Sequence, residues 1–108
     1  MPRKKMDSEI KQNWIDALRS GDYRQGFEHL CLEGRYCCLG VLASVLPDEE
    51  VIFEHGAVGY VDGREDKLSL RLLAKVGMTS NTQNVLMEMN DDRRMDFEDI
   101  SNWIEDNL

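Results

Sequence analysis

At 108 residues, 42% apolar and 31% charged, the chain has room for one globular domain with a single modest core. No apolar run approaches the ~20 residues of a membrane-spanning helix, and no apolar segment follows the basic start MPRKKMD as it would in a secretory leader, so a cytoplasmic protein is expected. The net charge is −8, and without Arg3, Lys4 and Lys5 the remaining chain carries 10 basic against 21 acidic residues, a balance that repels a phosphate backbone and speaks against duplex nucleic acid as a partner.

Residues 1–7 read as a basic, flexible tail and 8–108 as one α+β domain. The first helix runs from about Ser8 to Ser20. Asp7 or Ser8 caps it, Ile10, Trp14, Ile15 and Leu18 share a face, and Gly21 stops it. Tyr23 to Tyr36 suggests two short strands with a turn at Glu33-Gly34. A second helix follows, because Cys38, Val41, Leu42, Val45 and Leu46 recur at helical spacing before Pro47. Gly40 lies in its first turn, where a bare Cα lets another backbone come close.

The stretch VIFEHGAVGYV, residues 51–61, reads as a second hairpin broken at His55-Gly56, with Asp62-Gly63 as a further turn. A helix over Ser69–Val76 ends at Gly77, and Ser80 with Gln83 predicts a capping box for the next one. Asp96 caps the last helix, with Met95 and Ile100 placed as a hydrophobic staple and Phe97, Ile100, Trp103, Ile104 and Leu108 as its apolar stripe. The expected fold class is α+β: about five short helices, with one or two short β-hairpins forming a small antiparallel sheet.

The pair Cys37-Cys38 raises the question of chemistry. At a helix start, unpaired N–H groups and the macrodipole stabilise a thiolate. A cysteine hydrolase built there would take His29 or His55 as base, Gln25 as oxyanion donor and Asn90 or Asp91 to orient the histidine. A zinc module would draw on Cys31, Cys37, Cys38, His29 and His55. Against both, Cys38 falls on the apolar face of its helix, where cysteine is a small core residue. The Cys31-to-Cys37 spacing is not that of a zinc knuckle, and adjacent thiols diverge.

The acids Asp91, Asp92, Asp96, Glu98 and Asp99 lack the alternation and the glycine of a calcium loop. They read as helix-end residues beside Arg93 and Arg94. No glycine-rich phosphate loop is present, so no cofactor is expected. A small anionic ligand would need helix N-termini together with Arg19, Arg24, Arg35 or Arg71. Gln25-Gly26 and Asn90-Asp91 fit turns or caps by residue type, and equally the lining of a cleft. Met6, Met78, Met87 and Met95 suit gap-filling in the core, or an adaptable contact in a homo-oligomer.

The motif W-x₃-L-R-S-G-x-Y-x-Q-G from Trp14 to Gly26, then GRYCCLGVL, then M-N-D and F-x-D-I-x-x-W-I-E, resembles a group of small uncharacterised bacteriophage and prophage proteins, over about Trp14 to Glu105. More loosely, the chain is similar to a bacterial family of unknown function with a Cys-Ala-x-Gly-Ala-Leu segment and a Trp-Asn-Asp segment. Cys37, Gly40 and Leu42 match the first segment, and Asn90 and Asp91 the second; Cys38, Val41 and Met89 depart from it. The bacteriophage group has no settled activity, so the resemblance supplies a phage context; a small, acidic, single-domain chain without a legible active site is then expected to be an accessory protein that acts by binding a host protein, inhibiting a host factor or host defence. The alternatives are a sponge for a small nucleotide or other anionic signal, and the hydrolase or zinc module at Cys37 and Cys38. Ligand-contact candidates are Arg24, Gln25, Arg35, Asn90 and Asp91.

Overall fold

The computed structural model describes residues 6–54 and 58–108, so the predicted turn at His55-Gly56 and the first five residues lie outside the described part. Helix α1 (Ser8–Ser20) starts where the Asp7 carboxylate accepts from the Ile10 N–H at 2.9 Å. Met6 is buried in the core, and the Asp7 N–H donates to the Val76 carbonyl. These two residues, read as tail from the sequence, therefore belong to the folded unit.

Strands β1 (Arg24–Gln25), β2 (Cys31–Leu32) and β3 (Arg35–Tyr36) precede helix α2 (Cys38–Val45). Strands β4 (Ile52–Glu54) and β5 (Val58–Tyr60) follow, then helices α3 (Leu70–Val76) and α4 (Ser80–Met87). A π-helical turn (Glu88–Asp92) extends α4, and α5 (Phe97–Asn107) ends the fold. Among the described residues, five helices and a small sheet make this a single α+β domain, as the sequence pattern predicts.

The sheet order is β1-β3-β2-β5-β4. It is mixed rather than purely antiparallel, because β1 pairs in parallel with β3. The β2–β3 hairpin closes through Glu33 and Gly34, both at positive φ, as a two-residue primed turn needs. Asp62 and Gly63 turn the chain the same way between Val61 and Arg64. Because β3 folds back between β2 and β1, β1 meets it running in the same direction, and a strand of two residues carries too little alternation to reveal that in advance.

Helix α2 is the centre of the core. Cys38, Leu39, Gly40, Val41, Leu42 and Ala43 are all buried, so it is apolar around its whole circumference. It packs against α1, α4 and β3. The Trp14 indole N–H donates to the Cys38 carbonyl at 2.9 Å, tying the buried face of α1 to the first turn of α2. Helix α5 presses its own stripe, Phe97, Ile100 and Ile104, onto α1. Asp96 caps α5 through the Asp99 N–H, as expected.

Helix α4 is capped by Thr79, which accepts from the Thr82 N–H, and not by a Ser80–Gln83 box. Gln83 is buried instead and brackets Leu68, accepting from its N–H at 2.8 Å and donating to its carbonyl at 3.4 Å. A buried loop backbone needs such a partner, and that need outweighs the cap.

On the surface, Glu49 lies between Arg71 at 2.7 Å and Lys75 at 2.9 Å. The hydrogen bond from Arg71, and then that from Lys75, hold its carboxyl below the ordinary glutamate value. The stabilisation is therefore present in full above the unfolded-state pKa of 4.5 and is lost as pH falls through the lowered value. The expected outcome is that Glu49→Gln unfolds at lower urea than wild type at neutral pH, and that the gap closes on acidification. Urea midpoints measured down the pH scale check this.

Candidate functional site

Asn90 is fully buried, and its amide makes four hydrogen bonds among the described residues. The π-helical turn, closed by the Arg93 N–H donating to the Glu88 carbonyl at 2.9 Å, adds a residue to the helix. Two consecutive side chains, Met89 and Asn90, thus face inward, and both are buried. The Asn90 amide oxygen accepts from the Cys38 N–H at 3.2 Å and from the Gln25 amide at 3.1 Å. Its nitrogen donates to the Gly26 carbonyl at 2.9 Å and to the Asp91 carboxylate at 2.8 Å.

Gln25 also donates to the Met95 carbonyl, and Asp91 accepts from the Glu28 N–H at 2.9 Å. That last bond holds Glu28 in its left-handed conformation, at φ 65°. The sequence candidates Gln25, Asn90 and Asp91 therefore converge, together with the start of α2. Cys37 sits at the N-cap of α2 but makes no cap bond, and Asn90 takes the first free N–H of that helix from across the fold.

This arrangement bears directly on the two cysteines. Burial pushes the Cys37 thiol up to about 12, although the N–H groups of Gly40 and Leu39 pull the other way. Cys38 is raised as well, first by burial and then by Cys37 beside it. Its thiol reaches the Leu86 carbonyl at 3.8 Å, so it packs as core. The helix start supplies too little to keep a thiolate in so dry a place. Cys31, also a free thiol, is buried under the sheet.

His29 is half-buried, and among the described residues its Nδ1 has no hydrogen-bond partner and no bond joins it to Cys37 or Cys38. His55 lies outside the described residues. Gln25 is turned to Asn90 and Met95 instead of an oxyanion, and Asn90 orients α2 instead of a histidine. No group of His, Cys, Asp and Glu side chains suited to a metal converges among the described residues, so Cys31, Cys37, Cys38 and His29 do not form the shell the sequence allowed for. Iodoacetamide is expected to label all three cysteines slowly in the native protein at pH 8 and quickly once urea unfolds it. Mass spectrometry of the labelled chain checks this, and one fast native site would contradict the burial argument.

Beside this network lies a cleft of about 510 Å³, lined by Leu18, Arg19, Tyr23, Gln25, Asp96 and Phe97 among others. Of the sequence candidates, Gln25 and Arg19 reach it, and Asn90 stands behind Gln25. The Tyr23 and Tyr36 rings meet edge to face, 5.1 Å apart. Arg19 borders the cleft but is tied to Ser101, Asn102 and Glu105. Arg71 is likewise held, by Glu49 and Asp62. Arg93 pairs with Glu88, while Arg94 lies over the Phe27 ring and not on the neighbouring acids.

Arg24 and Arg35 are exposed partners in the β1–β3 register, and no ion pair involves them among the described residues. They lie on the sheet face opposite Gln25, so the ligand candidates divide between two faces. Tyr23, Asp96 and Phe97 carry no site signal in the sequence, where they read as strand, cap and core. Among the described residues no helix is long and apolar enough to cross a membrane.

No curated protein and no solved structure matches the chain. A family of protein domains, described as Domain of unknown function (DUF8296), matches residues 6–62. The match covers α1, the whole sheet and α2, including Gln25, Cys37 and Cys38, while Asn90 and Asp91 lie beyond it. With more than half of its length matched, the chain belongs to the family Domain of unknown function (DUF8296).

Proposed function

We propose that this is a small phage-type accessory protein of the host cytoplasm that acts by binding a basic host protein and thereby inhibiting a host factor or defence. The observation that carries the reading is uncompensated surface acid. Glu9 and Asp16 on α1, and Glu98, Asp99 and Asp106 on the adjoining α5, are exposed and take part in no ion pair among the described residues. Arg19, Arg71, Lys75 and Arg93 are each already matched with a carboxylate. A field of one sign speeds encounter with a partner of the other sign and suppresses wrong partners.

The test is crosslinking of the tagged protein in bacterial cells, followed by reconstitution from pure components. A basic partner is expected, whose association rate falls as salt rises. Failure of the pure components to associate at low salt overturns the reading. A second reading, capture of a small anionic signal, draws on the Arg24–Arg35 pair. A nucleotide panel in a thermal-shift assay tests it, since ligand raises apparent stability by RT ln(1 + [L]/Kd).

A further inference from the structure

The sheet leaves one edge open. Strand β4 is terminal in the order β1-β3-β2-β5-β4, so its outer row of backbone N–H and C=O groups faces no strand among the described residues. Ile52 and Phe53, neighbours on this strand, are each 52% exposed, so two large apolar side chains meet solvent at the edge. Phe53 lies over Gly59, where a Cβ would come within 2.7 Å of Val51 and 2.9 Å of Cys31. Glycine there lets the ring sit down on the sheet and keeps the edge flat.

On the opposite face, the registers set Ile52 beside Tyr60 and Val58 beside Leu32. Ile52, Val58 and Leu32 all stand outside the packed core. The edge thus continues into a partly apolar, open sheet face.

The charge around this edge selects its occupant. Asp48, Glu49 and Glu50 lead into β4 in the sequence. Glu49 is held by Arg71 and Lys75 and Asp48 reaches Lys75 at 4.0 Å with its side chain 84% exposed, while Glu50 is exposed with no ion pair among the described residues. A second copy would bring another −8 and the same acids to the edge. Acids beside a short edge strand are a known guard against such self-pairing. The same acids attract a strand of opposite charge.

We infer that β4 is a docking edge for an extended basic peptide segment, in which lysine or arginine alternates with apolar residues and which adds to the sheet as a further strand. The ladder supplies affinity, Phe53 takes the apolar side chains on its face of the sheet, and the acids beside the strand take the basic ones on the other. The inference rests on the reading of the protein as a binder of a basic partner and names the surface it uses.

The test titrates the full ¹⁵N-labelled chain with a short peptide alternating lysine and valine, against a glutamate–valine counterpart. The expected result is amide shifts centred on Ile52–Glu54 and reaching Val58–Tyr60, weakening with salt, and absent with the acidic peptide. Ile52→Lys and Phe53→Lys are each expected to weaken binding by roughly tenfold. Ile52 lies on the open face, so Ile52→Lys keeps the fold if Phe53→Lys does not.

Shifts confined to the acids of α1 and α5, or equal binding of the acidic peptide, overturn the inference. A dimer in sedimentation that Ile52→Lys disperses does so too, because the occupant is then a second copy. If the Ile52→Lys protein still binds the reconstituted host partner undiminished, the edge is refuted and the binder reading stands. If the basic peptide occupies β4 but no host partner reconstitutes, the edge stands and the host reading falls.

Discussion

Asn90→Ala is expected to lower the unfolding free energy by roughly 3–5 kcal/mol, a large part of the ~5–15 kcal/mol that holds a domain of this size together. The substitution removes the amide that serves the Cys38 N–H, the Gln25 amide and the Gly26 carbonyl. The Cys38 N–H loses its acceptor at a fully buried residue. An unpaired buried polar group costs about 1–3 kcal/mol, and in a network the losses compound. Asn90→Asp retains the acceptor but places a carboxylate against Asp91, 2.8 Å from the present nitrogen, so it is not a rescue. Thermal melts check this: at about 4–8 °C per kcal/mol, the alanine variant should melt more than ~12 °C below wild type. A shift of a few degrees would mean that water enters and satisfies the site.

Gly40→Ala is expected to be worse tolerated than its size suggests. A Cβ on Gly40 would stand 1.8 Å from the Leu30 carbonyl oxygen and 2.7 Å from its carbon. Those atoms are backbone, and no rotamer change relieves the clash. The carbonyl is also an acceptor, taking the Cys37 N–H at 3.3 Å, so moving it breaks the join between the loop before β2 and the start of α2. Helix α2 is buried all round, and a shift there disturbs α1, α4 and β3 together. A loss of about 3 kcal/mol or more follows from overpacking of this kind. Urea unfolding of the purified variant checks it, and failure to accumulate as soluble protein would be the stronger form of the same result. Gly21→Ala is the control for altered glycine content, since a Cβ there meets nothing within 4 Å and only the left-handed φ of 81° penalises it.

The helices were legible because their signals are local. Asp7, Ser69 and Asp96 cap as their side chains dictate, and Gly21 and Gly77 close α1 and α3 in the left-handed conformation. The apolar spacing of α2 pointed to a core helix, and Cys38 is core. The sheet was only half legible. Its two-residue strands carry almost no alternation, and the parallel pairing of β1 depends on a loop that Asp91 pins from far along the chain.

The site shows the same division. Gln25, Asn90 and Asp91 were notable by residue type, yet nothing in the sequence says that positions 65 apart share a hydrogen bond. The π-helical turn that aims Asn90 inward reads as an ordinary acidic helix end. Thr79 and Ser80 are interchangeable as caps by type, and the choice between them fell to Gln83, which Leu68 required.

The cross-fold cap on α2 also orders events in time. During synthesis, residues 6–62 emerge with α2 complete, but its first N–H must wait for Asn90, 52 positions later. At ~5–20 residues per second, the nascent chain spends a few seconds with its most apolar helix unclasped. Closure of the core therefore waits on the second half of the domain, and a chain truncated before Asn90 is exposed to proteases and chaperones with that helix unclasped.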